Sequence, residues 1–103
     1  GTDPQGVFTD DFALLPTAPQ LFTSYPNPFN GSATIGFVMS AQHEVRLQLF
    51  DQSGRLVETL VDERLAAGSF TSVWNAATHP AGVYFYRLQA GSFQQTKMLS
   101  VVK

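Results

Sequence analysis

Two histidines and eight carboxylates are all this sequence offers for acid–base work. His43 lies between Gln42 and Glu44 at the end of a strand-like pattern, and His79 precedes Pro80 in a loop. A nucleophilic triad needs Ser, His and Asp within hydrogen-bond reach, each oriented by the next. No Gly-x-Ser-x-Gly elbow places a serine here. Asp62-Glu63 is the adjacent carboxylate pair beyond the first eleven residues. Glycoside hydrolysis wants two carboxyls facing each other across about 5–9 Å, whereas neighbours on a strand point to opposite faces. With no cysteine there is no thiol nucleophile, disulfide or thiolate-bound metal. The histidines and scattered acids match no metal spacing, an adventitious calcium at the Asp51 loop being the one exception weighed. The glycines stand singly at turns and form no phosphate loop. These residues predict no catalysis, no cofactor and no metal.

Aromatic side chains raise a different chemistry, because sugar rings stack on flat aromatic platforms. Trp74 and Phe85 are the candidates. Against this, a single Trp on a sandwich strand is usually the central plug of the core. Asn30-Gly31-Ser32 satisfies the glycosylation sequon, a match that a bacterial source would reduce to chance.

The net charge is only −2, but it is unevenly spread: no Lys or Arg precedes Arg46, and no acid follows Glu63. Arg64, Arg87, Lys97 and Lys103 stand unopposed in the sequence. They read either as a solvated face or as a positive end that meets an acidic partner. Scattered cations make no basic stripe, so nucleic acid is not an expected partner. No apolar run reaches the roughly 20 residues that cross a bilayer as a helix, so no transmembrane segment is expected. The chain opens on Gly1 without a signal-peptide pattern, which reads as a fragment of a longer protein.

The elements that position these residues are strands. The 103 residues suit one domain, and the 44% hydrophobic content, with nine Phe, is enough for one core. Residues 1–11 read as a polar linker and 12–103 as the domain. Pro16 and Pro19 break the first apolar stretch, limiting it to an interrupted edge strand. Tyr25-Pro26-Asn27-Pro28-Phe29-Asn30 reads as a stiff loop anchored by its aromatics. Thr34–Met39 is strand-like, and Val45, Leu47 and Leu49 alternate with polar residues as in a half-buried strand. Asp51-Gln52-Ser53-Gly54 turns the chain into Arg55–Val61. Glu58–Ala67 also scores as a helix, but Asp62-Glu63 would break its apolar stripe and Gly68 follows closely. Further strands are expected at 70–74, 83–89 and 93–102, separated by Gly-containing turns. Tyr84, Tyr86 and Leu88 are assigned to the core, leaving Phe85 on the opposite side or at an interface. About seven short strands with a turn roughly every 8–12 residues predict an all-β, immunoglobulin-like antiparallel sandwich.

Several segments in this order carry a resemblance. They are the Tyr-Pro-Asn-Pro-Phe-Asn hexapeptide at 25–30, Val45–Val57 with its Asp-x-x-Gly-Arg turn, and Leu65–Trp74. Ala-Gly-Val-Tyr-Phe-Tyr-Arg-Leu at 81–88 and the closing Thr96–Lys103 complete the set. Over residues 12–103 the chain resembles the C-terminal sorting domain of the type IX secretion system, and is similar to the immunoglobulin-like module of flagellar hook-capping proteins. The resemblance implies a non-catalytic signal at the end of a larger cargo, which leads that cargo through the periplasm of a Gram-negative bacterium and across the outer membrane. The implied partners are the type IX translocon, a surface sortase-like peptidase and the N-terminal cargo, and the implied destination is the cell surface or the medium. Carried over by position, the recognition residues would be Pro26, Asn27, Pro28 and Phe29 in the first motif, Gly54 and Arg55 in the hairpin, Gly82 and Tyr84 in the penultimate strand, and Lys97 and Lys103 around the last. The chain has Asn75-Ala76 where relatives often have Asp-Gly after the Trp, and Gly31-Ser32 where they often have Pro-Thr. Both departures fall in loops. If the last strand lies at a sheet edge, its free backbone groups are expected to template a partner strand, with Lys97 and Lys103 steering. The alternatives are a carbohydrate-binding module of a glycoside hydrolase and an assembly spacer like the hook-capping module.

Overall fold

The computed structural model describes residues 18–103. The expected linker and the apolar residues Phe12, Leu14 and Leu15 lie outside them. Seven strands follow in order: β1 (Gln20–Leu21), β2 (Ser32–Met39), β3 (His43–Phe50), β4 (Leu56–Leu65), β5 (Gly68–Asn75), β6 (Gly82–Ala90) and β7 (Phe93–Val101). They form two antiparallel sheets, one ordered β1-β2-β5 and the other β4-β3-β6-β7. This is the expected immunoglobulin-like sandwich. Relative to a constant-type domain, the fourth strand sits on the sheet of the third, sixth and seventh.

Alternation builds the core. On β2, Ala33, Ile35, Phe37 and Met39 point inward; on β3, Val45, Leu47 and Leu49; on β6, Tyr84, Tyr86, Leu88 and Ala90. The Tyr84 face is thus the buried one, as its continuity predicted. Trp74 is fully buried at the centre, with Phe29 at 5.7 Å and Tyr84 at 5.1 Å between ring centroids, both edge-on. Edge-on pairs suit the charge distribution of aromatic rings. Burial removes Trp74 as a sugar platform.

β4 departs from alternation. Its pairing with β3 skips Leu60 between Val61 and Thr59, and skips Val57 between Glu58 and Leu56. Each bulge inserts one residue and resets which face the next ones take. Leu60 and Val57 thereby pack against the core, and Glu58, opposite inward-facing Leu49, accepts a hydrogen bond from Trp74 Nε1 at 3.2 Å. The strand also runs on past Val61 to Leu65, so Glu58–Leu65 is strand rather than helix, and the Ala66-Ala67 turn carries the chain to the other sheet.

Candidate recognition site

Two groups of the expected residues come together, at different places. The first is a clasp on the last strand. β7 is the edge of its sheet, paired on one side with β6. Along the outer side of its second half runs the proline hexapeptide. Phe29 N–H donates to Ser100 O at 3.0 Å, and Val102 N–H donates to Phe29 O at 2.8 Å, a short parallel bridge. One step earlier the Asn27 side chain replaces backbone: its Oδ1 accepts from Ser100 N–H at 3.0 Å, and its Nδ2 donates to Met98 O at 3.4 Å. Phe29 drives its ring into the core beside Trp74, while Pro26 and Pro28 stay exposed, each after a cis peptide bond. The expectation of an open edge over all of residues 93–102 is therefore corrected. Met98 O, both backbone groups of Ser100 and Val102 N–H are already taken. The first half differs: among the described residues no backbone bond reaches Gln94 or Thr96 from the outer side.

The second group surrounds a groove of about 650 Å³ at one end of the sandwich, between the β3–β4 turn and the β5–β6 loop. Arg55, Gly82 and Tyr84 line it, with Asp51, His79 and Pro80. Asp51 organises the turn. Its Oδ1 accepts from Ser53 N–H at 2.9 Å, from the Ser53 hydroxyl at 2.6 Å and from Arg55 N–H at 3.0 Å. The Ser53 hydroxyl first, then the Arg55 amide, hold the Asp51 carboxyl below its ordinary pKa. An oxygen so occupied is a poor calcium ligand, and no cluster of three or more metal-ligating side chains occurs among the described residues. Gly54 closes the turn at φ +88°, and Gly82 starts β6 at φ +147°; side chains rarely adopt either conformation. Tyr84 donates its hydroxyl hydrogen to Pro80 O at 2.7 Å, the tyrosine corner of immunoglobulin-like domains. His79 is half-buried and packs its ring 5.4 Å from Trp74.

The apparent cationic terminus is partly neutralised. Arg64 pairs with Glu44 at 3.1 Å, correcting its reading as unopposed, and Arg46 and Arg55 pair with Asp62 and Asp51. Lys103 Nζ donates to Ala76 O and Ala77 O, each at 3.2 Å, so it ties the tail to the β5–β6 loop. Lys97 lies half-buried on β7, apart from both groups. Sequence reasoning missed Glu58, Gln95 and Tyr86. Gln95 Oε1 accepts from Leu21 N–H across the sandwich at 3.3 Å. Tyr86 accepts from Ser24 N–H and donates to Phe22 O, both at 2.8 Å, and burial raises its pKa above the ordinary tyrosine value. Glu58 and Gln95 fall outside every segment that carries the resemblance, and Tyr86, inside one, reads only as a core position. Their partners are distant in sequence, so only the fold reveals them.

The architecture, the tyrosine corner and the clasped last strand define an immunoglobulin-like domain. The chain belongs to the secretion system C-terminal sorting domain family, whose model matches residues 23–102. It is a sorting domain of the type IX secretion system. Among solved structures it resembles dimeric latent PorU from Porphyromonas gingivalis, with a TM-score of 0.65 and 21% identity over 82% of this chain and 9% of that one. It also resembles PorZ, an essential surface component of the type IX secretion system of the same bacterium, with a TM-score of 0.57 and 19% identity over 81% of this chain and 11% of that one. The chain thus spans about a tenth of each. No curated protein matches the sequence.

Proposed function

We propose that the domain is a non-catalytic export signal for a larger protein fused to its N-terminal side, passed by the type IX machinery from the periplasm of a Gram-negative bacterium to the cell surface or the medium. The observation that carries this reading is the family match over nearly all of the described residues. The geometry agrees with it: the motif residues build a rigid body rather than a reaction centre. Asn27 and Phe29 clasp the last strand, Gly54 and Gly82 shape turns, and Tyr84 and Lys103 tie loops together. Residues 12–103 act as the signal, and the polar stretch 1–11 is the joint where a surface peptidase would cut. Arg55, Lys97 and the exposed prolines are the members of the motif set available to a receptor. The carbohydrate-binding alternative loses its better platform, since Trp74 is buried.

The test is a fusion of the chain to the C-terminus of a signal-peptide-bearing reporter in a bacterium with a type IX system. Reporter should appear outside the cell, and should stay in the periplasm when the system is disabled. Retention of the intact fusion in the competent strain would refute the proposal. Deleting Met98–Lys103 is a poor probe of recognition, because it also removes Leu99 and Val101 from the core.

A further inference from the structure

The outer face of the four-stranded sheet carries a row that includes none of the recognition residues carried over from the family. Pairing places Leu56 beside Phe50, Phe50 beside Phe85, and Phe85 beside Met98, so one apolar side chain from each strand lines up across the sheet. Leu56 and Met98 at its ends are 49% and 56% exposed, and the two Phe are half-exposed. Leu56 also lines the end groove, as does Val83, the next outward residue on β6. The far end of the same face is unlike this one: there Glu44–Arg64 and Arg46–Asp62 are ion-paired. Between the two ends stands Arg87, its guanidinium carbon 4.6 Å from the centre of the Phe50 ring. Among the described residues no carboxylate pairs with it, and its Nε is sealed from solvent without an acceptor.

We propose that this row is the docking face for the secretion machinery, through a partner polypeptide segment that lays apolar side chains on Leu56, Phe50, Phe85 and Met98 and sets a carboxylate on Arg87. The inference rests on the export reading above and names the surface that reading needs. Charge selects the occupant. A guanidinium already stacked on an aromatic ring is pre-oriented for a planar carboxylate. A second copy packed face to face about a two-fold axis through the row would set Arg87 near its own copy, which like charges oppose. The row crosses four strands, about 14 Å, which suits a single extended or helical segment. A contact that small belongs to the transient class, as a passing cargo requires.

The reporter fusion tests this with point variants. Leu56→Glu combined with Met98→Glu, and separately Arg87→Glu, should each lower external reporter at least about tenfold. Arg87→Lys keeps the charge but loses the planar fork, and should fall between them and the parent. Both charged variants alter exposed or outward-facing positions, and thermal melting of the purified chain must show each folded. A photo-crosslinking amino acid at position 98 should capture an outer-membrane component of the machinery, and Arg87→Glu should abolish the adduct. Folded variants exported at the parent level would overturn the docking face while leaving the sorting function intact. A cross-linked dimer of the fusion in place of that adduct would overturn the choice of partner. Retention of the unaltered fusion would overturn both readings together.

Discussion

Asn27 shows how one side chain can do the work of a strand. Its amide offers one donor and one acceptor to Met98 O and Ser100 N–H, the pattern a backbone neighbour would supply. Asn27→Ala should therefore destabilise the domain by about 1–2 kcal/mol, and Asn27→Asp, which keeps the acceptor but not the donor, by less. Thermal or urea denaturation of the purified chain checks both. Tyr86 is the buried counterpart. Tyr86→Phe leaves Ser24 N–H and Phe22 O without their partner and should cost about 1–3 kcal/mol by the same measurement. Burial favours its neutral form, so its folded pKa lies above the unfolded one. That contribution is complete below the ordinary tyrosine value of 10.0 and is lost as pH rises through the raised one. Phenolate absorbance from Tyr86 should accordingly emerge at higher pH in the folded chain than in the unfolded one. Of these two residues, sequence marked Asn27 through its proline neighbours. Tyr86 was legible only as a core residue, since alternation reports which face a side chain takes and not what its hydroxyl meets.

Elements were easier to read than their edges. Strict period-2 stretches such as Val45–Leu49 and Tyr84–Leu88 were placed correctly because alternation is itself the physical signature of a half-buried strand. β4 blurred because two bulges break its period, which is what lent Glu58–Ala67 a helical look. The clasp was hidden for a different reason: a proline loop reads as loop even when two of its backbone groups complete a sheet edge. The β3–β4 turn was legible, and its stability has a pH signature. Asp51 has a lowered folded pKa, so its contribution is present above the ordinary aspartate value and disappears as pH falls through the lowered one. Carboxyl NMR titration should place the Asp51 midpoint below that of the unfolded chain, and Ser53→Ala should move it back up. Gly54→Ala adds a side chain at φ +88° with nothing to clash with, so backbone strain alone should cost about 1 kcal/mol in the same denaturation assay.

At the scale of the whole molecule, the recognition residues carried over from the family mostly hold the shape, while the apolar row holds an arginine that no carboxylate pairs among the described residues. Stability and export should therefore separate under mutation. Phe29→Ala, at the foot of the clasp, should lower stability by about 3–5 kcal/mol and export along with it. Arg87→Glu should leave melting close to the parent and remove export alone. Running both variants through denaturation and the reporter fusion distinguishes a folding defect from a reading defect. The clasp also has a consequence in time. Asn27 finds its partners 71 and 73 positions further along. A ribosome must therefore deliver nearly the whole domain before the hexapeptide has anything to hold. A nascent chain that stops before Met98 lacks both of Asn27's partners, so the clasp closes only once those last residues have been made.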